Sequence, residues 1–230
     1  MSLADDLKNE AAKILRSAWE TRDGSVVPEA ENLKLSNDGV YLDATVLYAD
    51  MAGSTKMVDV RDATFCAEIY KCYLYCAGRI ITSESGAITA YDGDRVMAVF
   101  IGKSKNTSAV RCAMKINFAR SQLVNPAIKT QYPSNAFTID HAIGIDTSKL
   151  LAARTGVRGA NDLVWVGRAA NYAAKLTDLD ANYIWITKTV YDMMADEVKF
   201  TSGHNMWESR TWTAMAGASI YRSNWRWGSV

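Results

Sequence analysis

At 230 residues, with 26 basic and 25 acidic side chains, the chain carries a net charge of +1, which gives no global pull toward nucleic acid or an anionic membrane. No apolar run approaches the ~18 residues that suggest a membrane span, and the opening "MSLADDLKNE" is polar, unlike a signal segment. A cytoplasmic protein with no membrane span and no nucleic-acid partner is expected. The length suits one sizeable domain with a helical appendage.

Leu3, Leu7, Ala11, Ile14, Leu15 and Trp19 fall on one helix face over residues 2–21, and "RDGSVVPEAENLKLSNDG" breaks that pattern. Residues 1–40 are therefore an N-terminal helix and linker, and residues 41–230 the main domain. A helix of that length needs a partner surface. From Tyr41 the pattern predicts a strand (41–50), a long helix (56–83), strands at 86–91 and 94–101, a helix (105–124) and a strand (136–145). This is a βαββαβ order of the α+β, ferredoxin-like type, with helices on one side of a largely antiparallel sheet. A strand near 162–166, a helix over 168–179, a short strand at "YIWIT", a helix near 187–195 and a C-terminal hairpin through "ESRTWTAMA" and "ASIYRSN" follow. Cys66, Cys72, Cys76 and Cys112 lie in helical stretches and read as core residues. His141 and His204 have no partner at a ligand spacing.

The stretch "VLYADMAGST" runs an apolar strand into one carboxylate, Asp50, and "YDGDRVM" carries Asp92 and Asp94 around Gly93. A tight Asp-Gly hairpin needs no function. In a ferredoxin-like sheet, however, the first and third strands are central neighbours, so Asp50 and Asp94 lie side by side. Facing carboxylates repel, and a divalent cation between them relieves that cost. The small residues Ala52, Gly53, Ser54 and Thr55 leave backbone N–H groups open to a phosphate.

These motifs resemble the class III nucleotidyl cyclases over about residues 41–222. In that family the first strand ends in Asp-x-x-Gly-Phe/Ser-Thr, matched by "DMAGST". A hairpin supplies Gly-Asp, matched by Gly93–Asp94, and a later helix opens Gly-x-x-Val-Asn-x-Ala-Ala-Arg, matched by "GRAANYAAK". The resemblance implies that a nucleotide's 3′-hydroxyl attacks its own α-phosphate and pyrophosphate leaves. It further implies two Mg²⁺ or Mn²⁺ per active site on Asp50 and Asp94, with the Met51 carbonyl as a further ligand. Asn171 would position the ribose, and Lys175 stands where the family has an arginine that stabilises charge on the α-phosphate. Lysine keeps that charge but loses the bidentate fork. The family's terminal-phosphate base has no match in "AMAGASIYR", leaving Lys56, Arg154, Arg158 and Arg168 as candidates. Active sites in this family are shared across a head-to-tail dimer, which implies a homodimer.

Adenylyl cyclases read the purine with a lysine and an aspartate or threonine at positions that here are Ala90 and Val164; guanylyl cyclases use glutamate and cysteine there. The purine readers are absent. The segment "VPEAENLKLSNDGVYLDATVLYADMAGST" is similar to the entry segment of the pyrimidine cyclases of bacterial antiphage signalling, whose products act through a separate cyclic-nucleotide-binding effector. That similarity favours UTP and cyclic UMP; the alternatives are CTP with cyclic CMP, or an adenylate, guanylate or promiscuous cyclase. Tyr48 shares the sheet face of Asp50 by the two-residue period. Either it or Trp165 is a candidate contact for the smaller base, although a strand aromatic equally serves a core. A diguanylate cyclase would show a Gly-Gly-Asp/Glu-Glu/Asp-Phe hairpin, and a non-enzymatic domain would have lost a metal acid or Asn171.

Overall fold

A computed structural model describes residues 2–230. Helix α1 (Leu3–Arg16) starts at a capping box, in which the Ser2 hydroxyl accepts from the Asp5 N–H and the Asp5 carboxylate accepts from the Ser2 N–H. It stops at Ser17, short of the expected residue 21. The segment read as a linker holds a strand, β1 (Glu20–Asp23), parallel to the start of β2 (Asp38–Ala52). All four β1 residues are exposed, so no apolar alternation marks it in the sequence.

The expected single helix over 56–83 is two, α2 (Ser54–Val60) and α3 (Ala63–Ser83), parted at Arg61, which adopts an extended backbone. Strands β3 (Ala87–Asp92) and β4 (Arg95–Ile101) form the hairpin around Gly93. Helix α4 (Lys105–Ala119) passes through a π turn into α5 (Asn125–Gln131). The strand expected at 136–145 begins later and runs much further, as β5 (Asp140–Val157), which folds back into β6 (Ala160–Val166). Helix α6 (Arg168–Leu176), β7 (Ile184–Thr187), α7 (Lys188–Met193), a two-residue hairpin of β8 (Phe200–Thr201) with β9 (His204–Asn205), and the hairpin β10 (Glu208–Trp212) with β11 (Ala218–Ser223) complete the chain.

The main sheet runs β10-β11-β7-β5-β2-β4-β3, with β1 beside β2 and β6 beside β5. Only the β1–β2 and β5–β7 pairings are parallel. Its two faces are read from the alternation along β2. Leu47, Ala49 and Met51 join α3 and α4 in one cluster, whereas Val40, Leu42, Ala44 and Val46 join Ala169, Ala170 and Ala173 of α6 in another. The βαββαβ helices thus share one side as expected, and α6 covers the other. Each fully buried Leu or Ile in these layers contributes about 1.5–3 kcal/mol. Cys66 and Cys112 are buried; Cys72 is exposed and Cys76 half-buried, against the expectation that all four are core residues, and all are free thiols. No helix of the described residues is long and apolar enough to cross a membrane.

Candidate active site

Strand β2 pairs with β4 so that Asp50 lies opposite Arg95, and Asp94 precedes Arg95 in the hairpin turn. The two carboxylates therefore stand at the same end of adjacent central strands. The Asp50 carboxyl is pushed up to about 6, chiefly by burial and then by the charge of Asp94. Arg95 pulls it down, Asp178 pushes it up, and the Thr177 hydroxyl lowers it again. Asp94 keeps a buried Oδ2 with no hydrogen-bond partner. A half-buried acid pair with an orphaned oxygen is a costly arrangement, and two hard oxygen donors suit Mg²⁺ or Mn²⁺. No group of three or more His, Cys, Asp and Glu capable of holding a metal occurs among the described residues, so any cation held here would need further ligands from backbone, water or substrate. The Met51 side chain is buried in the α3/α4 cluster, which leaves only its carbonyl for such a role.

Ala52 ends β2, and Gly53 turns the chain into α2 at φ +74, where a Cβ would meet nothing within 4 Å. Glycine is there for the left-handed conformation and not for want of space. Ser54 and Thr55 open α2, whose first N–H groups have no partner within the helix. A hydrogen bond ties Ser54 to Tyr70 of α3, and burial followed by the charge of Asp94 raises that phenol.

Tyr48 lies on the Asp50 side of β2. Its register partner is Met97, whose own partner on β3 is Ala90, so the three form one row across the strands. The Tyr48 hydroxyl donates to the Met97 sulfur at 3.0 Å, and the Arg95 guanidinium sits over the Tyr48 ring at 5.3 Å. Ala90 is exposed. On β6, Trp165 turns inward against the α6-side cluster, whereas Val164 turns outward and is exposed. Strand β6 pairs with residues 151–157 of β5, but Asp50 faces Ala142, far back along that strand.

Helix α6 buries Ala169, Ala170, Ala173 and Leu176, which puts Asn171 and Lys175, spaced i and i+4, together on its exposed side. Among the described residues no hydrogen bond or ion pair joins either one to the acid pair. Arg168 is committed elsewhere, since its guanidinium holds the fully buried Asp146 at 3.0 Å. Arg154 bonds Asn161 and the Leu33 carbonyl. Of the four basic residues considered for the terminal phosphate, Lys56 and Arg158 are the two whose side chains make neither a hydrogen bond nor an ion pair among the described residues. Arg95, Thr177 and Asp178 surround Asp50 without having been singled out in the sequence. The adjacency of Arg95 to Asp94 was the available signal for the first, whereas the other two lie in the turn that follows α6, more than 120 positions along the chain from Asp50.

No family model matches the chain. A uridylate cyclase of Xanthomonas perforans is 54% identical over 228 residues, 99% of both chains. One of Burkholderia cepacia is 52% identical over 229 residues, again 99% of both. Among solved structures, the guanylyl cyclase Cya2 superposes with a TM-score of 0.71 at 18% identity, covering 83% of this chain and 96% of that one. The adenylyl cyclase CyaB from P. aeruginosa gives 0.65 at 20% identity, covering 80% and 95%. The structural likenesses carry the fold, and the end-to-end identity carries the membership: the chain is a nucleotidyl cyclase of class III architecture and belongs to the family of these uridylate cyclases.

Proposed function

We propose that the enzyme converts UTP to 3′,5′-cyclic UMP and pyrophosphate, as a second messenger for antiphage defence read by a separate cyclic-nucleotide-binding effector. The catalytic domain, expected at 41–230, extends back to β1, which pairs with the start of β2 in the main sheet, leaving α1 as the appendage. The observation that carries the chemistry is the acid pair, Asp50 raised by burial beside Asp94 with its orphaned oxygen. The choice of UTP rests on the relatives, which are named uridylate cyclases, and on the lack of purine-reading side chains at Ala90 and Val164.

In the reaction the ribose 3′-oxygen bonds to the α-phosphorus, the bond from that phosphorus to the β-bridging oxygen breaks with its electron pair leaving on pyrophosphate, and the hydroxyl proton passes to solvent water. Asp50, Asp94 and the Met51 carbonyl would hold two Mg²⁺ or Mn²⁺ ions, which supply acidity for the hydroxyl and charge neutralisation for the triphosphate. The backbone of Ala52, Gly53, Ser54 and Thr55 receives phosphate oxygens. Asn171 orients the ribose, and Lys175 offsets negative charge growing on the α-phosphate. Tyr48 and Ala90 bound the base and Val164, remote from Asp50 on its own chain, joins them from a second copy of the chain, leaving no donor or acceptor for a purine edge, while Trp165 packs inward behind it.

Asn171 and Lys175 face solvent on their own chain, and a second copy supplies the surface that completes them. The site is therefore shared across a homodimer. Incubating the protein with each of the four ribonucleoside triphosphates and Mn²⁺, then weighing the products, tests the reading. Cyclic UMP should dominate, and cyclic AMP formed at equal or greater kcat/KM overturns the pyrimidine assignment.

A further inference from the structure

Helix α1 buries none of its residues. Leu3, Leu7, Ile14 and Leu15, on one face, are 73%, 63%, 53% and 86% exposed. The helix is otherwise well built, with its capping box, a Lys13–Glu10 ion pair at 3.0 Å, acids in the first turn and bases in the last. Yet 14 residues are marginal for a helix standing alone in water, and an apolar stripe of this kind is a packing surface. The body of the protein holds α1 near its C-terminal end, where the Asn37 amide donates to the carbonyls of Ile14 and Ser17 at 2.8 Å each. From there β1 leads onto the beginning of β2, at Asp38, the end of that strand remote from Asp50.

We propose that α1 pairs antiparallel with α1 of a second copy of this chain. The charge pattern selects both partner and direction. Asp5 and Asp6 outweigh Lys8 in the first half, Lys13 and Arg16 outweigh Glu10 in the second, and Lys8 falls opposite Glu10 in the same antiparallel alignment. Antiparallel pairing centred near residue 9 sets each copy's acids beside the other's bases, whereas parallel pairing sets like beside like. The same alignment puts Leu3 opposite Leu15 and Leu7 opposite Ala11, closing the stripe. A helix about 21 Å long presents less surface than the ~1,200 Å² of a self-sufficient interface, so this pair supplements another contact between chains. It does not depend on the substrate assigned above.

Disulfide trapping in a Cys72→Ser/Cys76→Ser background tests it. Chains with Leu3→Cys and chains with Leu15→Cys should each stay uncrosslinked alone, and should form covalent dimers when mixed and oxidised. Crosslinking of either variant with itself overturns the antiparallel arrangement. No crosslink in the mixture, with turnover and helical circular dichroism intact, overturns the pairing. Helix-dependent sedimentation with phosphatidylglycerol vesicles and no crosslink assigns the face to lipid instead.

Charge reversal supplies a second readout in the full chain. Asp5→Lys/Asp6→Lys and Lys13→Glu/Arg16→Glu should each weaken self-association at least tenfold by sedimentation, and their mixture should recover it. Failure of the mixture to recover, with both chains folded, also overturns the proposal.

Discussion

Two aspartates on one strand show what separates a carboxylate matched by its partners from one that is not. Asp38, near the start of β2, is 4% exposed and fully partnered, with Arg22 at 2.6 Å and the Lys34 N–H at 2.9 Å. Burial pushes its carboxyl up, but the Lys34 N–H and Arg22 outweigh that and hold it below the usual value. Asp50, twelve positions on, is half-buried, lies beside Asp94 with no cation or N–H among the described residues to match Asp38's, and is raised to about 6. Burial alone does not predict the function; the balance of partners does. The fully partnered acid serves the fold, and the poorly matched one is the acid we assign to the chemistry.

Neutralising the mismatched acids should break this contrast most severely. Asp50→Asn and Asp94→Asn are each expected to lower kcat by at least about 10³-fold. In metal-free buffer they should hold or raise the melting temperature, because each relieves carboxylate repulsion. Full activity in folded Asp94→Asn protein would remove that residue from the metal site. Mixing the inactive Asp50→Ala and Asn171→Ala chains should then restore about a quarter of the native rate per chain, since half the dimers are mixed and each holds one intact site. Absence of recovery after verified chain exchange would argue against shared sites.

A smaller effect is expected at the base. Ala90→Lys with Val164→Asp should cut kcat/KM for UTP by about tenfold, on the scale of one poorly matched hydrogen-bonding group. Unchanged uridylate cyclisation would detach those positions from base recognition.

At the other end of β2, Asp38→Ala should leave kcat unchanged and destabilise the protein by about 1–3 kcal/mol. The sign with pH follows from the lowered carboxyl. Its contribution is complete above the unfolded value of 3.8 and is lost as pH falls through the lower folded value. The gap between native and variant in urea melts should therefore close in acid. A gap independent of pH would mean that packing, not charge, is what Asp38 supplies.

The end of β2 that carries Asp50 was more legible in the sequence than the end that carries Asp38. An apolar strand ending on a lone acid, followed by a Gly-containing turn, is a local pattern, and so is Gly93–Asp94. Asp38 gave no such signal, because its partner Arg22 lies on β1, four exposed residues without periodicity. The break at Arg61 and the second half of β5 were missed for a related reason. Helical spacing continues across the break, and "TSKLLAARTGV" gains its strand conformation from β2 and β6 on either side. The solvent-facing side of Asn171 and Lys175 could be drawn from helical spacing, but that Arg168 is spent on Asp146 could not.

Gly144 of β5 carries a mechanical consequence for the helix that bears Asn171 and Lys175. A Cβ there would lie 2.0 Å from the Ala173 carbonyl oxygen and 2.8 Å from the Leu176 Cβ, so α6 rests on bare main chain with no side-chain cushion between. Cushions can be retrimmed one methyl at a time; a backbone seat cannot. The height of Asn171 and Lys175 above the sheet is therefore pinned as a hard stop, and any change that raises or lowers α6 has to move the β5 main chain with it.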